Sequence, residues 1–298
     1  MRRIGILETS SGDPARLQLW ELFRQRLLEL GYVEGRDISF ESRWAQGNAD
    51  LLPKLAAELV ALEVDAIVTA GTPAAFAAKR ATTTIPIVMA TGVSVDTGMN
   101  ESSSGLPGNV TGLSDLAPGL STRRLELLAQ VVPGAAQLAV LWDQTNQAGS
   151  LVVGEYQDAA RSLGSSLEVF GVRAPDDFDV ALPAMARRGA GGFIGVTSAM
   201  FFGERERLAA LALECRLPAM FVRREYAEAG ALMAFGAPIR DNYRRAAGYV
   251  DKIFKGARPA DLPVDQPTGF ELVINRKTAQ ALGLTIPQAM LHDAQLVE

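Results

Sequence analysis

One pattern limits what this chain can become more than any other. Short apolar runs rich in Val, Ile and Ala recur along it, and between them lie longer stretches whose apolar residues return at helical spacing. An apolar run of about five residues without polar alternation reads as a strand covered on both faces. Parallel strands need a crossover between them, and the intervening helical stretches supply it. In the first part of the chain the pattern predicts strands over 3–8, 37–44, 65–70 and 86–90, with helices over 14–30, 49–62 and 73–82.

After Gly105-Leu106-Pro107-Gly108 and the segment 109–114, the series starts again with a helix over 121–131 and a strand over 138–142. Further strands are expected at 166–172, 192–197, 218–222 and 231–234, with helices at 149–163, 180–188 and 204–215. The expected fold class is therefore α/β, with two Rossmann-like, doubly wound parallel-sheet lobes of about five strands each. A helix at 242–255, a turn at 256–261, a strand at 270–275 and a helix at 276–282 are too few for a third sheet, so this closing stretch is expected to cross back onto the lobes. That places 1–115 plus about 238–265 in lobe 1, and 116–237 plus about 266–298 in lobe 2.

Bulk properties exclude several functions. A net charge of −5 leaves no basic field for a nucleic acid backbone. Cys215 is the sole cysteine, which rules out an internal disulfide and a thiolate metal cluster, and His292 is the sole histidine, which rules out a His-rich metal site. No cofactor is expected. Gly189-Ala190-Gly191-Gly192 precedes a strand where a dinucleotide fingerprint follows one. The neighbourhoods of Ser94 and Ser114 lack the final glycine of a hydrolase elbow. A serine hydrolase using Ser94 or Ser114 with His292 stays a remote alternative, and His292 is read as a surface residue in a loose C-terminal tail. No apolar run reaches the ~18 residues that a membrane span needs. The opening Met1-Arg2-Arg3 is basic, but its apolar segment stops at Glu8, so it reads as a first strand and any export signal is expected to have been removed.

Ligands of open parallel sheets bind beyond the carboxyl ends of the strands, where helix N-termini present unpaired N–H groups. In the first series those turns carry Ser10 and Ser11 ahead of Asp13-Pro14, Gly71 and Thr72 ahead of Pro73, and Thr91, Ser94 and Asp96. Asp13 and Thr72 are expected as N-caps, each followed by proline at the first helical position. The second series offers Thr145 and Asn146, then Thr197 and Ser198, then Arg223, Glu225 and Tyr226. Trp44 and Trp142 stand at strand ends where they could stack on a ligand, whereas Trp20 reads as core. The same residue types serve ordinary helix capping, and it is their joint placement at strand ends that favours a site. Hydroxyls and helix N-termini suit a carboxylate, and an acidic side chain suits an amine, so a small polar or zwitterionic ligand fits best.

Several segments resemble a known family. LVALEVDAIVTAGTPAAFAAK at 59–79, TIPIV at 84–88, GNVTGLS at 108–114, RLELL at 124–128, RLPAMFVRREYAEAGALM at 216–233 and YRRAAGYVDKIFKGARPADLPVDQPTGFELVINRKTAQALGLTIP at 243–287 are similar to ABC transporter substrate-binding proteins of the tryptophan/tyrosine-binding type. The resemblance implies the type I periplasmic binding protein fold, three hinge crossings, and a solute captured by hinge closure and delivered to ABC permease membrane subunits. It implies no catalysis, an aromatic amino acid or related carboxylate as the favoured ligand, and a periplasmic or lipid-anchored extracellular location. A cytoplasmic ligand sensor of the same fold is the alternative.

Overall fold

The computed structural model describes residues 1–92, 108–114, 117, 119–132, 134, 137–146, 149–267 and 269–298. The chain divides into two compact units, Met1–Ala117 with Ile239–Pro267 and Pro118–Pro238 with Thr268–Glu298. It first builds β1 (Arg2–Glu8), α1 (Pro14–Glu29), β2 (Ile38–Trp44), α2 (Leu52–Ala61), β3 (Ala66–Ala70), α3 (Thr72–Ala81), β4 (Ile87–Thr91) and β5 (Val110–Leu113). The second unit then forms α4 (Leu120–Val131), β6 (Gln137–Asp143), α5 (Gly149–Ser162), β7 (Ser166–Val172), α6 (Phe178–Arg187), β8 (Phe193–Gly195), α7 (Ala199–Gly203), α8 (Arg205–Glu214), β9 (Ala219–Phe221), α9 (Arg224–Glu228) and β10 (Met233–Gly236). α10 (Ile239–Phe254) and β11 (Val264–Asp265) return to the first unit, and β12 (Glu271–Asn275), α11 (Arg276–Leu282), α12 (Gln288–Asp293) and β13 (Ala294–Val297) complete the second.

The first sheet runs β11-β5-β4-β3-β1-β2, with every adjacent pair parallel. Its strands alternate between two cores, as a period of two residues requires. Ile4, Ile6, Val68, Ala70 and Val88 face a cluster with Trp20, Phe23 and Leu27 of α1 and Tyr243 and Val250 of α10. Leu7, Ile67, Ile87 and Met89 face the other way, onto Leu52, Ala56 and Leu59 of α2 and the alanines of α3. Helices on both faces make this a doubly wound sheet. β5 is a strand that its sequence hides, because it is four residues long and Gly112 interrupts it. Gly112 sits at φ +126°, and a Cβ there would lie 2.3 Å from the Met89 carbonyl oxygen, so only glycine lets β5 lie against β4.

The second sheet runs β13-β12-β10-β9-β8-β6-β7 and is parallel except between β10 and β12. Phe193, Phe221, Phe178, Phe201 and Tyr226 dominate the core under α6, α7 and α8. The sheets have six and seven strands rather than about five each, since β5 and the short closing strands β11, β12 and β13 join them. The expected loose tail is likewise corrected: α12 and β13 are ordered, and β13 pairs with β12 from Leu272↔Ala294 to Asn275↔Val297. A four-residue strand is too short for its periodicity to be read against a polar background.

Candidate functional site

Each sheet contains the strand order second-first-third-fourth-fifth of its own series, β2-β1-β3-β4-β5 in one and β7-β6-β8-β9-β10 in the other. In this order the chain reverses direction across the sheet between the first and third strands, and the helices leaving those two strands diverge to opposite faces. Open sheets of this order bind ligands at that switch point, which lies beyond β1 and β3 in the first unit and beyond β6 and β8 in the second. All but five of the described candidates lie on turns that flank these two switch points: Trp44 and Thr91 end strands at their margins, and Arg223, Glu225 and Tyr226 lie further along the second sheet. Ser94 and Asp96 fall outside the described residues.

In the first unit the switch point rests on a fully buried carboxylate. Glu8, the last residue of β1, is 0% exposed. Arg16 meets it with two donors, Nε to Oε2 at 2.9 Å and Nη2 to Oε1 at 3.0 Å, and Trp20 Nε1 donates to Oε2 at 2.9 Å. The Ser10 N–H and hydroxyl both donate to Oε1 at 3.1 Å. Asp13 caps α1 by accepting from the Arg16 N–H at 3.0 Å, and Pro14 begins the helix. The turn carrying Ser10 and Ser11 is thus pinned at both ends.

The neighbouring turn is tied just as closely. The Thr9 hydroxyl donates to the Ala70 carbonyl at 3.1 Å, and the Gly71 N–H reaches the Thr91 carbonyl at 3.1 Å and hydroxyl at 3.2 Å. Gly71 adopts φ +93°, and a Cβ there would approach Thr9 Oγ1 to 3.0 Å. The N-cap of α3 is Gly71, with buried Thr72 as its first residue and Pro73 second, one position earlier than the sequence suggests. The positive end of this helix emerges beside β3 and suits an anionic group. Trp44 is half-buried at the end of β2 and packs against the α1 core.

In the second unit Asp143 occupies the position that Glu8 holds in the first, at the end of its series' first strand, and is 5% exposed. Its Oδ1 accepts from the Thr145 N–H at 2.8 Å and hydroxyl at 2.5 Å, and Oδ2 accepts from the Ser198 hydroxyl at 2.6 Å. Ser198 also caps α7, accepting from Met200 N at 3.1 Å and Phe201 N at 3.4 Å. Its single proton and both lone pairs are then engaged, so Ser198 acts on the site through Asp143. Asn146 Nδ2 donates to the Thr197 carbonyl at 3.2 Å, which leaves Oδ1 buried and without a hydrogen-bond partner.

Farther along, Arg223 is buried with its guanidinium 5.6 Å from the Phe202 ring, and Glu225 is half-buried in the first turn of α9. Tyr226 stacks on Phe221 at 4.2 Å with planes 2° apart, and this places its ring in the core rather than on the rim. Glu8 and Arg16 belong to the candidate site although no local sequence signal singles them out, whereas Asp143 opens the polar turn at the end of its strand. Of the hydrolase candidates, Ser114 is buried beyond β5 in the first unit, while His292 is exposed on α12 in the second. Among the described residues no cluster of His, Cys, Asp and Glu could hold a metal ion, and no helix is long and apolar enough to cross a membrane.

Comparison with known proteins adds independent findings. A family profile described as "ABC transporter substrate binding protein" matches residues 3–298. A protein named "Tyrosine-binding protein" from Clostridioides difficile (strain R20291) is 25% identical over 268 residues, which is 88% of this chain and 75% of that one. The crystal structure of a conserved domain protein from Vibrio cholerae superposes with a TM-score of 0.90 at 26% identity, covering 100% of this chain and 99% of that chain. An ABC domain in complex with L-Trp from Streptococcus pneumonia superposes with a TM-score of 0.91 at 24% identity over the same shares.

Proposed function

The chain belongs to the ABC transporter substrate-binding protein family and has the type I periplasmic binding protein fold, and from that premise we propose that it captures an aromatic amino acid or a related carboxylate for import. The observation that carries this reading is the repeated switch point: two sheets of the same strand order each present a polar rim at the place where such sheets bind ligands. The named tyrosine-binding relative and the L-Trp complex of a structural neighbour support the choice of ligand class.

In this reading the first unit contributes Ser10, Ser11, Gly71, Thr72 and Thr91, with the α3 N-terminus taking a carboxylate. The second contributes Thr145, Asn146, Thr197, Arg223 and Glu225. The chain passes between the units after Ala117, after Pro238 and after Pro267, connections that act as a hinge. A ligand that gains contacts from both units favours the closed state by its differential affinity, and no covalent step is needed. The closed, loaded protein then delivers its solute to ABC permease subunits outside the cytoplasm, in the periplasm or at a lipid-anchored position on the cell surface.

Calorimetry and thermal unfolding with L-tyrosine, L-tryptophan, sugars and nucleosides test this. An aromatic amino acid at about 100 times its Kd is expected to stabilise the protein by about 2.7 kcal/mol, and small-angle scattering is expected to show compaction. Stabilisation by a sugar or nucleoside and not by aromatic amino acids would overturn the ligand assignment, and binding without compaction would overturn closure.

A further inference from the structure

We infer that the corner formed by Asp143 and Asn146 in the second unit is a cation-accepting subsite, one that selects ligands carrying a protonated amine. The inference rests on the solute-capture reading and specifies which chemistry that solute must bring. It begins from a difference in charge balance. Glu8 and Asp143 are both buried carboxylates at the end of a first strand, and a buried carboxylate is strongly disfavoured unless its charge is compensated. Arg16 compensates Glu8. Asp143 is held only by neutral donors, the Thr145 N–H and the hydroxyls of Thr145 and Ser198, and among the described residues no lysine or arginine pairs with it. Arg173, just past the neighbouring strand β7, donates its Nε to Gln144 Oε1 at 3.0 Å.

The hydrogen-bonding capacity left at this corner is of a single kind. A carboxylate offers about four lone-pair directions, and Asp143 fills three of them, with the vacancy on Oδ2. The Thr145 hydroxyl spends its proton on Asp143 and keeps only lone pairs. Asn146 is oriented by the Thr197 carbonyl, which can only accept, so the atom facing it is the NH2 and the free atom is the carbonyl oxygen Oδ1. What remains unsatisfied is therefore acceptor capacity beside an uncompensated negative charge. Water could fill the acceptors but would leave the charge, and an anion would be repelled. A primary ammonium brings three N–H donors and the missing positive charge together.

The test compares ligands that differ only in the amine, using the full chain. L-Tryptophan, indole-3-propionate, N-acetyl-L-tryptophan and tryptamine are titrated by calorimetry, with the tyrosine series beside them. The ammonium-bearing ligands, tryptamine included, are expected to bind, and loss or acetylation of the amine to weaken binding by about 100-fold, the size expected for losing a charge-assisted contact. Asp143→Asn is expected to lower affinity for the amino acid far more than for the deaminated acid, so that the two converge. Circular dichroism and thermal unfolding check that variant, and Asn146→Leu provides a second one that spares the Asp143 bonds and is expected to weaken amine binding selectively. If wild-type protein binds indole-3-propionate as tightly as L-tryptophan, or folded Asp143→Asn keeps full affinity for the amino acid, the subsite is overturned and solute capture stands. If no member of either series binds, both readings fall together.

Discussion

Glu8 and Asp143 end the first strand of their respective sheets, and only Glu8 is met by a guanidinium. The same backbone position thus serves two electrostatic purposes. In the first unit the acid is internal structure: it draws Arg16, Trp20 and the Ser10 turn onto one point and leaves a neutral floor. In the second the acid is held only by neutral donors, a backbone N–H and two hydroxyls. A rim that compensates its own acid can favour a carboxylate nearby, while one that does not favours an amine.

Removing the Arg16 side chain's charge tests the structural half of this contrast. Arg16→Met leaves Glu8 buried and uncompensated, and breaking such a pair costs about 3–5 kcal/mol. The pair is almost wholly shielded from solvent, with side chains 5% and 0% exposed, so screening does little to soften the loss. Denaturant unfolding is expected to show the first unit melting early. Glu8→Gln combined with Arg16→Met is expected to recover much of the stability, because the double variant buries no net charge. Equal loss in the single and double variants would mean that packing, not charge, sets the cost.

Much of the fold was legible because apolar periodicity reports burial directly. Five residues such as those of β3 admit no other reading when a helical stretch follows, and β7 and α11 fall where the pattern places them. What escaped were elements too short to have a period, among them β11, α7 and α9. The polar turns were visible as turns, but their chemistry was not. Glu8 reads as the charged stop of an apolar run, and nothing local distinguishes that from a carboxylate buried beneath the turn. Its partner Arg16 lies one turn into a helix whose spacing shows a face but not a charge. Ser198 was legible as a hydroxyl at a strand end, yet only coordinates show that its proton and lone pairs are engaged by Asp143, Met200 and Phe201. Tyr226 was legible as an aromatic near the rim, while its stacking on Phe221 depends on a contact between separate elements.

Gly71 sets the shape of the first rim. At φ +93° an alanine is strained by about 1–3 kcal/mol, and its methyl would also press on Thr9 Oγ1 at 3.0 Å, the atom that ties β1 to the Ala70 carbonyl. Gly71→Ala is expected to lower the melting temperature and to weaken ligand binding by shifting Thr72 and the start of α3. Retained affinity, measured by calorimetry on the folded variant, would show that this turn does not shape the site.

Thr69 carries a hydroxyl for which the fold provides nothing. It is fully buried in β3 and its Oγ1 has no hydrogen-bond partner. Thr69→Val exchanges that hydroxyl for a methyl of similar volume and is expected to stabilise the first unit by about 1 kcal/mol. Thr69→Ala leaves a void instead and is expected to stabilise less or to destabilise. Thermal unfolding of the two variants side by side separates the polar cost from the packing cost.

Glu271, at the start of β12, gives a pH dependence of definite sign. Burial raises its carboxyl above its ordinary value of 4.5, Arg224 pulls it down, and Glu225 and Glu228 push it up again, with a net upward shift. The folded protein therefore holds this proton more tightly than the unfolded chain. The resulting stabilisation is complete below pH 4.5 and is lost as pH rises through the elevated folded value, so at neutral pH the ionised group weighs against folding. Glu271→Gln mimics the protonated form at every pH. Its melting temperature is expected to exceed wild type at pH 7, with the gap closing as pH falls below about 4. A variant less stable than wild type at pH 7 would show that the Arg224 attraction outweighs burial at this position.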